Sequence, residues 1–184
     1  MNRSQANLKR AVWALLLTLF VFPRLAGAQT SGSLTVTANV QGSIGLVFDN
    51  NVNVGLAGFC PLSNAGTNNA GLDLGTASFA QGDNLACVNF SRPVPFYNVS
   101  SAFDVVVTKA NTASASYRLA VAMSTVPPPN VTWLMNALTM TTAAQTLQAA
   151  NPYGRTTETL RVQVRNSVPA QVLVEVITFT ATAN

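Results

Sequence analysis

The sequence predicts an all-β domain, an antiparallel, immunoglobulin-like β-sandwich of about seven to nine strands. Several segments alternate strictly between apolar and polar residues, which is the period of a half-buried strand. The composition is rich in Val and Thr, which favour pleated surfaces, and in Asn, Gly and Ser, which favour turns. Runs of Leu, Glu and Lys at helical spacing are missing beyond the first thirty residues.

The first 28 residues have the three parts of a secretory signal. The segment 2–10 carries three cations and no acid, and Ala11–Phe22 is an apolar run with one threonine in it. Pro23 ends this run well short of the roughly 20 apolar residues that a spanning helix needs. Small residues then lead to Ala28. We therefore predict cleavage after Ala28, one domain at 29–184, and export to the periplasm, cell surface or medium.

The formal charge of +4 belongs to this predicted leader. Four of the ten Lys and Arg residues lie within it, so six cations and six acids remain in 29–184. A neutral sum gives no basis for a basic patch that holds nucleic acid or an anionic membrane. We expect neither partner, and no membrane span in the mature chain.

The first half of the domain contains short strand candidates around a long loop. Ser33–Val40 alternates, and Ile44–Phe48 follows after a bend. Residues 49–71 are rich in Asn and Gly and form the predicted loop, and Leu72–Leu74 and Ala86–Phe90 are further candidates. One face of the first strand is apolar throughout: Leu34, Val36, Ala38 and Val40.

The second half gives longer strands. Ala102–Lys109 is expected to bury Phe103, Val105 and Val107 and to keep Asp104 in solvent. Residues 111–114 then predict a hairpin into Ser116–Met123. Further along, Trp133 is expected to be buried in the segment 131–140.

The last two strand candidates are the most regular. Thr159–Arg165 alternates without a break, whereas Gln171–Ala183 changes phase. Its first valines alternate with Glu175, but Ile177 and Phe179 alternate with Thr178 and Thr180. A β-bulge near Val176 and Ile177 is predicted to reconcile its two halves.

Cys60 and Cys87 are the two cysteines of the chain. In an oxidising compartment we predict that they form one intramolecular disulfide. Such a bond stabilises the fold by roughly 3–4 kcal/mol through the chain entropy of the loop it closes. Two separate buried thiols are the alternative, because pairing depends on geometry that the sequence does not contain.

No catalytic centre is predicted. The chain has no His, which removes the commonest general base and metal ligand, and Asp104, Glu158 and Glu175 fit a solvated strand face. Residues 49–53 place oxygen side chains at the first, third and fifth positions of a calcium loop, but Val54 replaces its Gly and Cys60 its Glu. Ordinary Asn turns explain the segment better. We expect no enzyme activity, no cofactor and no metal.

The region after the leader resembles exported bacterial β-sandwich domains of the pilin and spore-coat-U-like kind. The resemblance rests on the signal, the alternating segment Leu34–Val40, the Cys pair and the Thr- and Val-rich strand Val172–Ala183. In chaperone–usher pilins such an N-terminal segment completes the sandwich of the next subunit. The resemblance implies a fimbrial or surface structural subunit that binds copies of itself or other surface proteins. Its candidate donor residues are Leu34, Val36, Ala38 and Val40. The alternative is that Leu34–Val40 is the first strand of its own sandwich.

A glycan or surface-polymer binding module is the alternative function. Loops at the end of a sandwich are frequent recognition sites, and amide side chains suit sugar hydroxyls. The candidate residues are Asn64, Asn68, Asn69 and Asn84, with Phe59 and Tyr97 as loop aromatics.

Overall fold

The computed structural model describes residues 30–40, 44–77 and 87–184. The predicted signal peptide, 1–28, lies outside the described residues. The described chain is all β, with twelve strands and no helix, so the predicted fold class is confirmed. The strand number exceeds the expected seven to nine because several strands are only two or three residues long.

The strands form two packed sheets, sheet A and sheet B. Sheet A has the order β10-β7-β12-β1-β4-β3, and sheet B has the order β2-β6-β11-β8-β9, with β5 added beside β6. In chain order the strands are β1 Thr30–Val40, β2 Ile44–Asp49, β3 Leu62–Ser63, β4 Asn69–Ala77, β5 Asn89–Ser91, β6 Phe96–Lys109, β7 Ser116–Met123, β8 Val131–Met135, β9 Leu138–Thr139, β10 Gln145–Pro152, β11 Gly154–Arg165 and β12 Val172–Ala183.

One continuous apolar core lies between the sheets. Phe48, Phe103 and Phe179 meet edge to face at its centre, with ring centroids 5.2–6.2 Å apart. Phe103, Val105 and Val107 face this core as predicted, and Trp133 is buried as predicted. Burial of such side chains is the main favourable contribution to folding.

The predicted hairpin between β6 and β7 is wrong. The strands β6 and β7 are consecutive but belong to sheets B and A respectively, so residues 110–115 cross from one sheet to the other. The polar turn signal was real, but such a signal does not distinguish a hairpin from a crossing between sheets.

The predicted bulge in β12 is also wrong. Its pairing with β1 and with β7 keeps a continuous register, and every second residue from Leu173 to Ala181 points inward. Glu175 is one of these inward residues, whereas Val172 and Val174 are exposed. The assumption that a carboxylate lies in solvent therefore produced the false change of phase.

Candidate functional site: the candidate donor strand and buried polar clusters

The candidate donor strand, β1, lies inside sheet A and not at its edge. It pairs with β12 in parallel from Ser31 to Val40 and with β4 in antiparallel fashion from Thr30 to Thr37. All other strand pairs of the described chain are antiparallel. Both neighbours of β1 therefore depend on it for a row of backbone hydrogen bonds.

The inward face of β1 fills part of the core. Leu34 and Val36 are 1% and 0% exposed, and they pair with Leu72 and Ala70 of β4. Ala38 and Val40 take the register positions opposite Phe179 and Ala181 of β12, but their side chains lie outside the described part. Removal of β1 would leave a groove lined by apolar side chains and two unpaired strand edges.

The position of β1 in the chain and its outward side chains complete its description. It is the first described strand, and three residues, 41–43, connect it to β2 in the opposite sheet. Two of its outward side chains are described, and one of them, Thr37 Oγ1, lies 3.4 Å from Thr178 Oγ1 on the neighbouring β12. Thr35 on the same face is exposed.

The predicted disulfide is confirmed. Cys60 and Cys87 are bonded, with their Cα atoms 4.8 Å apart and 27 residues apart in sequence. The backbone carbonyl of Cys87 accepts hydrogen bonds from the amides of Gly58 and Phe59, and the amide of Cys60 donates to Ser101 Oγ at 2.8 Å. The bond thus anchors the long loop after β2 to the edge of sheet B.

Residues 49–53 form the Asn-rich turn that the sequence favoured over a calcium loop. Asp49 Oδ1 accepts from the amide of Asn50, and Asn51 Oδ1 accepts from the amide of Asn53. Asn50 Oδ1 accepts from the amide of Leu62 at 2.7 Å. These oxygens are therefore engaged in holding the loop, as is typical of Asx turns.

Asp104 is buried, which contradicts the expectation that it lies in solvent. Its side chain is 1% exposed, and Oδ2 accepts from Arg155 Nη1 at 2.8 Å. Its other oxygen accepts from Asn51 Nδ2 at 2.8 Å and Thr157 Oγ1 at 2.7 Å. Asp104 therefore takes part in a polar cluster on the outward side of sheet B, covered by the β2 loop.

Arg155 connects two carboxylates that face each other across β2 and β6. Its Nη2 donates to Asp49 Oδ2 at 2.7 Å, while Nη1 binds Asp104. The hydrogen bonds to Asp104 and then Asp49 raise the pKa of Arg155, and the hydrogen bond from Arg155 lowers the pKa of Asp49. Opposite charge therefore relieves the repulsion between the two aspartates.

Glu158 is also buried, contrary to expectation, and it faces the core from β11. Asn136 Nδ2 donates to one carboxylate oxygen at 2.7 Å, and Gln148 Nε2 donates to the other at 2.6 Å. Burial raises the pKa of Glu158, although these hydrogen bonds oppose the shift. No ion pair of Glu158 occurs among the described residues.

Unusual backbone conformations bring both amides to Glu158. Asn136 has φ of 55° in the turn between β8 and β9, a conformation that Asn tolerates better than most residues. β10 shifts register on both sides of Gln148 in its pairing with β7. Such bulges re-aim side chains, and sequence alternation does not reveal them.

Glu175 is the third carboxylate found inside. Its Oε1 accepts from the amides of Ser124 and Thr125 at 2.7 and 3.0 Å and from Ser124 Oγ at 2.9 Å. Thr125 Oγ1 donates to its Oε2. Burial raises the pKa of Glu175, but the hydrogen bonds together exceed that effect and lower it. Glu175 therefore fixes the turn that follows β7.

The residues considered for glycan binding lie in different surroundings. Asn64, Asn68 and Asn69 are exposed, but Asn84 lies outside the described residues. Tyr97 is not a loop aromatic: it is 4% exposed and stacks on Phe90 within the sandwich, with centroids 5.5 Å apart. The proposed aromatic platform is therefore reduced to Phe59, which is half-buried.

No protein-family model matches this sequence, and a search of the curated proteins finds none that is similar to it. Within the ranges described, no helix is long and apolar enough to cross a membrane. Nor does any group of three or more Cys, Asp or Glu in those ranges have the arrangement of a metal site. The architecture alone thus defines a disulfide-bonded β-sandwich.

Proposed function

We propose that this protein is an exported, non-enzymatic structural subunit of the bacterial surface that associates with itself by exchange of β1. In this proposal β1 of one copy enters sheet A of the next copy, between β12 and β4. Its Leu34 and Val36 take the core positions that they occupy in the closed chain. Head-to-tail exchange of this kind is heterologous, so it builds a fibre unless the rotation between copies closes a ring.

The position of β1 carries the proposal. A strand from the start of the described chain lies in the interior of a sheet, between strands from distant parts of the sequence. It is tied to the following strand by three residues, and short connections of this kind favour strand exchange between copies. The exchanged strand makes the same contacts in either arrangement, so exchange costs little enthalpy.

The disulfide supports the same reading. It joins the β2 loop to the segment before β5 and involves neither β1 nor its neighbours. A sandwich from which β1 is absent therefore keeps its disulfide until a strand from another copy binds. Disulfides persist in the periplasm and outside the cell, which agrees with export.

Purified chain without the predicted leader provides the test. We expect oligomers whose size grows with protein concentration in sizing chromatography with light scattering. Val36→Asp places a charge at a core position and should abolish these oligomers, whereas Thr35→Asp, one residue away on the exposed face, should preserve them.

A synthetic peptide of the wild-type sequence 30–40 separates lost assembly from lost folding. The Val36→Asp chain should bind this peptide and recover its native far-ultraviolet circular dichroism, while the Thr35→Asp chain should bind little. A wild-type chain that is monomeric at every accessible concentration, together with a Val36→Asp chain that ignores the peptide, would refute strand exchange.

A further inference from the structure

The neutral charge sum conceals an unequal distribution between interior and surface. Five carboxylates lie in the described residues, and four of them are buried or held by Arg155: Asp49, Asp104, Glu158 and Glu175. Asp73 is the fifth, and it is exposed on sheet A. Most acidic side chains of the described chain therefore take part in internal hydrogen bonds or in the ion pairs with Arg155.

The cations, in contrast, remain on the surface. Lys109, Arg118, Arg161 and Arg165 are all exposed, and none of these four forms an ion pair within the described ranges. The described surface is therefore cationic although the formal sum is zero. Charge on a surface, and not the sum over the chain, decides which ligands are attracted.

Two of these cations lie in one row on the outward face of sheet B. Arg161 and Arg165 lie on the central strand β11 and project to the same side, with Gln163 between them. At the rise of a strand, four residues separate their Cα atoms by about 13–14 Å. We call Arg161, Gln163 and Arg165 the arginine row.

Polar groups and two partly exposed apolar residues border the arginine row: Leu134 of β8 lies beside Arg161, and Phe96 of β6 beside Arg165. Gln163 Nε2 donates to Asn98 Oδ1 at 3.0 Å on β6, and Thr132 of β8 is its other cross-strand neighbour. Ser100 lies beside Arg161, and the Arg165 guanidinium lies 5.9 Å from the ring centroid of Phe96. The cross-strand neighbours of the row include no carboxylate.

We propose that the arginine row binds an acidic polysaccharide that lies along β11. Each guanidinium presents a planar fork of donors that matches a carboxylate or a sulfate with two parallel hydrogen bonds. Gln163 lies between the two arginines, and beside its hydrogen bond to Asn98 its Oε1 and its second Nε2 hydrogen offer an acceptor and a donor for sugar hydroxyls. A linear polymer with an acid group on successive sugars, lying along β11, would therefore contact the guanidinium of Arg161, the amide of Gln163 and the guanidinium of Arg165 in that order.

The same face is less suited to other anionic polymers. Binding of single-stranded nucleic acid depends on aromatic side chains that stack on successive bases, and the row has one ring nearby, Phe96, which Arg165 covers. Insertion into a membrane surface needs exposed apolar residues beside the cations. Here Asn98, Ser100 and Thr132 are polar, and the two apolar neighbours, Leu134 and Phe96, are only partly exposed. The site lies on sheet B and is independent of exchange of β1 in sheet A.

Polygalacturonate and dextran sulfate are the test ligands, with neutral dextran as the comparison. Binding to the leader-free chain is measured by microscale thermophoresis at one fixed salt concentration. The double variant Arg161→Gln, Arg165→Gln should weaken binding of both acidic polymers at least about tenfold, since two charge-assisted contacts are lost. The matched control is Lys109→Gln, Arg118→Gln, which removes the same charge elsewhere and should retain affinity within about twofold.

The exposed position of all four side chains predicts unchanged thermal unfolding, which confirms that folded protein is compared. Equal weakening in both double variants would show attraction by general charge and overturn the proposal. Absence of binding to either acidic polymer, or equal affinity for neutral dextran, would also overturn it. Tighter binding of a single-stranded RNA oligonucleotide than of either polysaccharide would assign the arginine row to nucleic acid instead.

Discussion

Replacement of Arg155 by Met tests how the outward polar cluster of sheet B is held. Arg155 donates to Asp104 at 2.8 Å and to Asp49 at 2.7 Å, so the variant leaves both carboxylates without their cation. Asp104 decides the outcome because its side chain is 1% exposed, whereas that of Asp49 is 35% exposed. We expect the unpaired Asp104 to lower the free energy of unfolding strongly and the unpaired Asp49 to lower it only slightly.

The magnitude follows from what remains around Asp104. Removal of one partner from a fully buried ion pair costs about 3–5 kcal/mol. Here Arg155 is itself half-exposed, and Asp104 keeps its hydrogen bonds from Asn51 and Thr157. The expected loss for Arg155→Met is therefore about 2–3 kcal/mol in the free energy of unfolding. Asp49→Asn, the control, removes a surface ion pair and should cost less than about 1 kcal/mol.

Urea unfolding at pH 7, followed by circular dichroism, measures both variants. The double variant Arg155→Met, Asp104→Asn no longer buries an unpaired charge, so it should recover at least about 1 kcal/mol relative to Arg155→Met alone. A loss for Arg155→Met no larger than that for Asp49→Asn, or a double variant less stable than the sum of its parts, would refute this reasoning.

Three further predictions concern the other buried groups. Burial raises the pKa of Glu158, so the folded chain holds the proton of this carboxyl more tightly than the unfolded chain does. The stability of wild type relative to Glu158→Gln should therefore fall as pH rises above the ordinary pKa of Glu. Thermal unfolding from pH 4 to pH 8 measures this. The pKa of Glu175 is lowered instead, so wild type should exceed Glu175→Gln by about 1–2 kcal/mol at pH 7 and should lose this advantage as pH falls below the ordinary Glu value. Extending the scan to pH 2 tests this, and an advantage that stays constant in that acid range would contradict the lowered pKa. Cys60→Ser with Cys87→Ser should cost roughly 3–4 kcal/mol in urea unfolding, and a wild type insensitive to reductant would contradict a stabilising bond.

The alternating segments made the fold class readable from the sequence. Ser116–Met123 was predicted to the residue, and the inward faces around Val105 and Leu160 were correct, because alternation reports directly which face is buried. The disulfide was also predictable as a pair, since two cysteines allow one connectivity. Geometry then confirmed it.

The buried polar clusters were not readable, and the reason is physical. Asp104, Glu158 and Glu175 were placed in solvent because isolated carboxylates are costly to bury. Their partners come from distant segments: Asn51 lies 53 residues from Asp104, and Ser124 lies 51 residues from Glu175. A sequence pattern contains no record of such pairing, so the partner that removes the penalty is visible only in the fold. The cationic surface was not predictable either, because the sequence does not show which carboxylates are buried and which cations remain exposed.

Exchange of β1 between copies is tested most directly by a cysteine pair across β1 and β12. Thr37 and Thr178 face each other on the exposed side of sheet A, with their hydroxyl oxygens 3.4 Å apart. Thr37→Cys with Thr178→Cys should therefore crosslink wherever β1 is seated, within one chain or between two. The chain is oxidised at high concentration and separated without reductant on a denaturing gel. Strand exchange predicts a ladder of covalent multimers that collapses to monomer on reduction; complete oxidation with only monomer on the gel would show that β1 stays in its own sandwich and would contradict the account.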